Sequence, residues 1–321
     1  MGSMKLSDSS SQGSTGTRLA PLLFLLISIF LSAFIITPQT GAHKRAQSFT
    51  SLTITTEPNA IVWIDDVRRG VTDASGRLEL KKIAAGRHVL RVRAAGFHEV
   101  SLSLLAGKRT QSVKLTKTTD QAELAFQRAE DAREKARDEA ARQNAAELYR
   151  ATFKLRGTYP AAHLGLARVL LDLNKYQEAL DEIQEARRTR PVYPEASAVE
   201  GRIYRESAFT DDAIQSFRRA IREARGFQPE AHVGLARVFE DQGKYDEAIA
   251  EFRKAIDQLS DSEPIIYQLL GAAYEKQQQF KEAVVAYEKY LALAPNGSLA
   301  PAIRSIIDQL RRDAAGQEII P

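Results

Sequence analysis

Three arginines recur at one spacing: Arg168, Arg202 and Arg237 stand 34 and 35 residues apart. A guanidinium presents a planar fork of donors that matches a carboxylate in bidentate fashion. Three of them in one register suggest a ladder for an acidic or C-terminal peptide. The next step of the period holds Ala272, so the ladder stops at three. Each arginine also has an acid four residues on, at Asp172, Glu206 and Asp241. Such pairs contribute only ~0.2–0.5 kcal/mol, and less in this order, yet they would satisfy each guanidinium without a ligand. Both readings stand at this point. Covalent and metal chemistry find less support. The chain has no cysteine, which excludes disulfides, zinc–thiolate sites and thiol nucleophiles. No Gly-rich phosphate loop, nucleophile elbow or paired-histidine motif occurs. His88 and His98 lie ten residues apart without a third ligand nearby. No catalytic residue, cofactor or metal site is therefore expected, and an enzyme is disfavoured.

The elements that would position the ladder are set by a repeat. Lys175-Tyr176-Gln177-Glu178-Ala179 returns as Thr210-Asp211-Asp212-Ala213, as Lys244-Tyr245-Asp246-Glu247-Ala248 and as Gln279-Phe280-Lys281-Glu282-Ala283. A fixed period of 34 to 35 residues is that of stacked helix–turn–helix units. Leu166, Ala167, Leu170, Tyr176 and Ala179, with their counterparts Leu235, Ala236, Phe239, Tyr245 and Ala248, resemble tetratricopeptide repeats. The array covers 159–297 in about four units. Glu200 stands where the other units have Leu166, Leu235 and Leu270, which makes the second unit the least regular. The resemblance implies an all-α solenoid that binds partner proteins in a groove lined by the first helix of each pair. It also places Arg168, Arg202 and Arg237 on that groove. The lysine and asparagine of the family's carboxylate clamp are missing, since Leu164, Ala198 and Val233 occupy neighbouring groove positions. His163 and His232 stand where the family often has a large aromatic, and are read as packing residues. Ser298 is a candidate cap for a final helix over 298–313, whose Ile303, Ile306, Ile307 and Leu310 form one apolar stripe.

Ahead of the array the pattern changes. Residues 118–158 are Ala-rich with mixed charges and predict a helical spacer or a degenerate repeat, with Ala145, Leu148, Tyr149 and Phe153 as its packing stripe. Residues 50–117 alternate with period two, as in Leu90 and Val92 against Arg91 and Arg93. Turn signals such as Glu57-Pro58-Asn59 and Asp73-Ala74-Ser75-Gly76 separate short strands, which predicts a small β-sandwich. Thr55 to Asp66, with Trp63 inside it, resembles the opening of a PEGA domain. Ile83 to Val92 followed by Ala95-Gly96-Phe97 resembles that domain's second half. The resemblance implies an extracytoplasmic sandwich of bacterial or archaeal surface proteins without established enzymatic activity. Asn59 replaces the family's usual glycine, and asparagine tolerates the left-handed turn. Trp63 is read as packing against the opposite sheet, with ligand stacking as the alternative.

Residues 1–18 are Ser/Gly/Thr-rich and are expected to be a disordered tail. Residues 19–37 are almost wholly apolar and uncharged, and predict a transmembrane anchor or a cleaved signal peptide. Either way the body is expected outside the cytoplasm, membrane-anchored or secreted. Residues 50–117 carry twelve basic against six acidic residues, whereas 118–321 carry 29 against 34. An acidic solenoid disfavours nucleic acid. The expected fold is thus a membrane segment, a PEGA-like sandwich and a tetratricopeptide-like solenoid. The expected function is a protein-binding scaffold of the cell envelope. The alternative is a carbohydrate- or envelope-polymer-binding module acting through Arg91 and Arg93 on one basic strand face.

Overall fold

The computed structural model describes residues 49–65, 67–84, 87–259 and 263–317. The expected tail and membrane segment, 1–18 and 19–37, lie outside the described residues. Among the described residues no helix is long and apolar enough to cross a membrane.

Seven strands come first: β1 (Phe49–Thr55), β2 (Ile61–Ile64), β3 (Val67–Val71), β4 (Arg77–Ala84), β5 (His88–Arg93), β6 (Val100–Leu104) and β7 (Thr110–Ser112). They form a three-stranded sheet, β4-β1-β7, and a four-stranded sheet, β3-β2-β5-β6. All pairings are antiparallel except that of β1 with β7. Period two sets the faces. Leu52 and Ile54 of one sheet meet Val62, Ile64, Leu90 and Val92 of the other in a shared core. Asn59 does adopt positive φ, at 56°, in the turn before β2. Two expectations change. Val113 and Leu115 are buried, but they lie past β7 rather than within a strand. Trp63 does not pack against the opposite sheet. With Val62 and Ile64 turned inward, alternation places it on the outer face of its sheet.

Helices follow in pairs: α1 (Gln121–Lys135) with α2 (Glu139–Leu155), α3 (Pro160–Asp172) with α4 (Tyr176–Thr189), and α5 (Pro194–Glu206) with α6 (Thr210–Glu223). Next come α7 (Pro229–Asp241) with α8 (Tyr245–Leu259), α9 (Pro264–Lys276) with α10 (Phe280–Leu293), and a last helix, α11 (Ala300–Gln317). The first helices α3, α5, α7 and α9 each begin on proline. Proline suits the first helical position because its missing N–H has no intrahelical partner there. The second helices α4, α6, α8 and α10 each start after a residue in the left-handed region: Asn174, Ala208, Gly243 and Gln278, all with φ between 58° and 71°. The recurring alanines, Ala179, Ala213, Ala248 and Ala283, are fully buried. Close approach is enforced by glycine at the crossings. A Cβ on Gly201 would lie 2.7 Å from the Phe217 ring, and one on Gly234 would strike the same ring from the next unit.

α1 and α2 start at Asp120 and Asp138, whose side chains accept from backbone N–H groups of the first turn. The expected stripe on α2 packs onto α3, with Tyr149 and Ala145 buried and Leu148 and Phe153 half-buried. α11 covers the last pair through Ile303, Ile307 and Leu310, and continues to Gln317, beyond the predicted end at residue 313.

Candidate functional site

The outer face of the β2/β5 sheet is turned toward the first helices. Arg93 of β5 donates to Glu130 of α1 at 3.0 Å, and its guanidinium lies 5.1 Å from the Phe126 ring. Arg91 reaches Glu195 of α5 at 3.6 Å and Glu99 at 3.7 Å. Arg68 of β3 pairs with Glu134 of α1 at 3.1 Å. Backbone groups join in: Gly96 N–H donates to the Gln127 side-chain carbonyl, and that amide donates back to the Phe97 carbonyl. Farther along the stack Val67 of β3 packs against the apolar cluster of α7 to α11. The β module is therefore held both at α1 and α5 and at this later cluster.

Arg91 and Arg93, expected to offer a basic face to an anionic polymer, are instead turned into this junction. Both guanidinium groups lie over the Trp63 ring, at 4.4 and 5.1 Å from its centroid, in cation–π geometry. Arg93 is only 6% exposed. The physical reason is that two largely buried carboxylates, Glu130 and Glu195, stand opposite. Burial alone would raise the Glu130 carboxyl, but Arg133, Arg93, the Tyr149 hydroxyl and Arg168 bring it down to about 2. Glu130 is thus a fixed anion that several guanidinium groups share.

Between the two parts a cleft of about 620 Å³ remains. One wall is Trp63, Val67, Arg68 and Arg91 of the β module. The floor is Leu164, Phe217, Val233 and Gly234. Arg168, Arg202 and Arg237 all line it, so the ladder read from the spacing does face a common space. Arg205, which the repeat pattern did not single out, lines it as well. The C-terminal end of the cleft is mainly apolar, with Ile265, Ile266 and Leu269 of α9 beside the carboxylate of Glu263. Among the described residues, no group of three or more His, Asp or Glu side chains is placed to hold a metal.

The i,i+4 pairs that would have neutralised the ladder do not form among the described residues. Arg202 instead bridges units, reaching Asp172 at 4.0 Å and Glu230 at 3.9 Å. Arg237 reaches Glu240 at 3.7 Å, three residues on. Asp241 and Glu206 go to Arg205, each at 2.8 Å. Arg168 meets no carboxylate within 4.0 Å among the described residues. An arginine ahead of its acid at i,i+4 is the poorer orientation along a helix, and the ladder takes other partners, some on adjacent units and some on the same helix.

His163 and His232 pack as expected. His163 stacks on Phe153 at 4.2 Å. Each also takes a carboxylate partner at the same register, Glu182 at 2.6 Å and Glu251 at 2.5 Å. Glu200 has an equally local reason: with Arg219, Ser197 and Glu223 of its own unit and Arg187 of α4 it forms a polar cluster where the first two units meet. Sequence reasoning missed the junction residues Glu130, Glu195 and Val67. The one available signal was the outward tryptophan, Trp63, a large apolar side chain that calls for a cover.

Tetratricopeptide-repeat family models match residues 136–203 and 239–307, and a second such model matches 199–264. No curated protein matches the sequence. Among solved structures, a thermophilic TPR protein of Thermus thermophilus is similar over 59% of this chain and 98% of its own, at 20% identity and a TM-score of 0.50. The pilF protein of Pseudomonas aeruginosa matches over 59% and 88%, at 15% identity and 0.47. A MamA fragment from Desulfovibrio magneticus matches over 56% and 98%, at 17% and 0.44.

Proposed function

Because the C-terminal part of the chain is built of tetratricopeptide repeats, we propose that the protein is a non-enzymatic scaffold of the bacterial cell envelope that holds partner proteins against its first helices. One observation carries this reading: Arg168, Arg202 and Arg237, from three successive units, line one cleft. Arg202 and Arg237 remain well exposed there, at 43% and 40%. A carboxylate-bearing segment laid across the units would meet bidentate donors at each step. The PEGA-like character of residues 50–117 and the apolar run 19–37 support a location outside the cytoplasm, anchored or exported.

The polymer-binding alternative has less to stand on, since Arg91 and Arg93 are already held by Trp63, Glu130 and Glu195. The discriminating experiment is affinity capture with Gln47–Pro321, a single compact unit holding both strands and helices, run beside the triple variant Arg168→Ala, Arg202→Ala, Arg237→Ala. Specific protein partners retained by the native unit and lost by the variant support the scaffold. Identical partners in both would make the ladder structural, and retention on purified cell-wall material would restore the alternative.

A further inference from the structure

The cleft has two unlike walls, and the second does not come from the repeats. The β2–β3 hairpin carries a register shift between Val62 and Trp63, so that Trp63 pairs with Arg68 and Arg69 becomes the extra residue. Such a bulge re-aims neighbouring side chains. Here Trp63, Val67 and Arg68 all line the cleft.

Charge is unevenly distributed over the lining. Eight arginines and five glutamates border the space. Glu130, Glu134, Glu195 and Glu230 each have an arginine within 4.0 Å. The surplus lies on α3 and α7, where Arg168 meets no carboxylate within that distance and Arg237 leans on Glu240. Burial pushes the Glu240 carboxyl above its ordinary value, against the pull of Arg237. A cationic occupant would be repelled from this lining. Toward α9 the surface turns apolar, and Ile265 is 44% exposed there. An anion alone would leave that end bare.

Resting on the groove reading above, we propose that the cleft takes an extended peptide with an acidic residue beside a large apolar one, and that the β module is a working wall of that site. The acid meets Arg168 and Arg237, with Arg202 between them. The apolar side chain lies against the patch that Val67 of β3 forms with Val233, Ile266 and Leu269 of the solenoid. The β module thus selects the ligand and does not merely brace the stack.

The test is a selection from a displayed library of random nonapeptides on the unit Gln47–Pro321, followed by fluorescence anisotropy with the synthetic consensus peptide. The expected consensus joins Asp or Glu to Leu, Ile or Phe. Val67→Asp is expected to weaken binding about tenfold or more, the loss of roughly one buried aliphatic contact. Val67→Ala should give a smaller loss in the same direction, with helix content unchanged by circular dichroism in both. A consensus without the apolar residue, or affinity indifferent to Val67→Asp, overturns the β wall and leaves the groove reading intact. An acid-free consensus, or no enrichment over the triple arginine-to-alanine variant, overturns both.

Discussion

Glu130 shows how much one carboxylate holds at the junction. It accepts from Arg93, Arg133 and the Tyr149 hydroxyl, with the charge of Arg168 close by. Removing only its charge, as in Glu130→Gln, leaves buried guanidinium groups without a counter-ion. A loss of about 3–5 kcal/mol is expected, read as a lower urea midpoint. The pH dependence follows from the direction of its shift. A free glutamate titrates near ~4.3, whereas Glu130 is held to about 2. A lowered carboxyl stabilises the fold above the unfolded value, and that stabilisation disappears as pH falls from ~4.3 toward about 2. Its size is on the order of 3 kcal/mol. The native unit should therefore lose stability across that window, and the Gln variant should show a flatter profile. An equally steep profile in the variant would mean that other carboxylates govern acid unfolding.

At the scale of elements, the turn between the two helices of each unit requires one left-handed residue. Three units meet this with Asn174, Gly243 and Gln278, and one with Ala208 at φ 63°. Alanine in that region costs about 1–2 kcal/mol. Ala208→Gly removes the strain but adds freedom to the unfolded chain, worth about 0.4–1 kcal/mol. A net gain near ~0.5–1 kcal/mol is expected, seen as a higher melting temperature. Gly243→Ala should move it down. The crossings give a second prediction. Gly234→Ala drives a methyl into the buried Phe217 ring and should cost about 1–3 kcal/mol, partly restored by Phe217→Leu in the same chain. Full additivity of the two changes in thermal unfolding would rule out that contact.

These elements are legible in the sequence because the signal is local. Ala179, Ala213, Ala248 and Ala283 repeat with the helical hairpin, and all are buried. The alternation around Val62 and Leu90 likewise separates inside from outside within each strand. What faces the outer side of a strand is not local. Arg93 finds Glu130 at 37 residues' remove, and Arg68 finds Glu134 at 66. No periodicity links such partners, so the strand pattern alone gives Trp63 the wrong neighbour. The ladder register is legible for the same local reason as the alanines. Its ion pairs are not, because Arg202 reaches acids on adjacent units and Arg205 divides itself between Asp241 of the next unit and Glu206 of its own helix.

For the whole molecule, the question is whether β module and solenoid unfold together. The chain has a single tryptophan, Trp63, and it sits at the junction under Arg91 and Arg93. Its fluorescence therefore follows the state of the β module and its contact, while far-ultraviolet dichroism follows the helices. If the junction couples the two parts, both signals should report one urea transition in the native unit. Arg93 is the contact to remove, since its ion pair is largely buried and its guanidinium also covers Trp63 and Phe126. Arg93→Ala leaves Glu130 with the Tyr149 hydroxyl and, as its one cation within 4.0 Å among the described residues, Arg133, and it uncovers part of the Trp63 face. The fluorescence transition should then move to lower urea by more than the dichroism transition, separating the two. Arg68→Ala removes only a half-exposed pair with Glu134, worth about 1 kcal/mol or less, and should leave the curves superimposed. Separate transitions already in the native unit would show that the parts fold independently. In that case the cleft's second wall would open without cost to the solenoid, and peptide binding would have to supply the free energy that closes it.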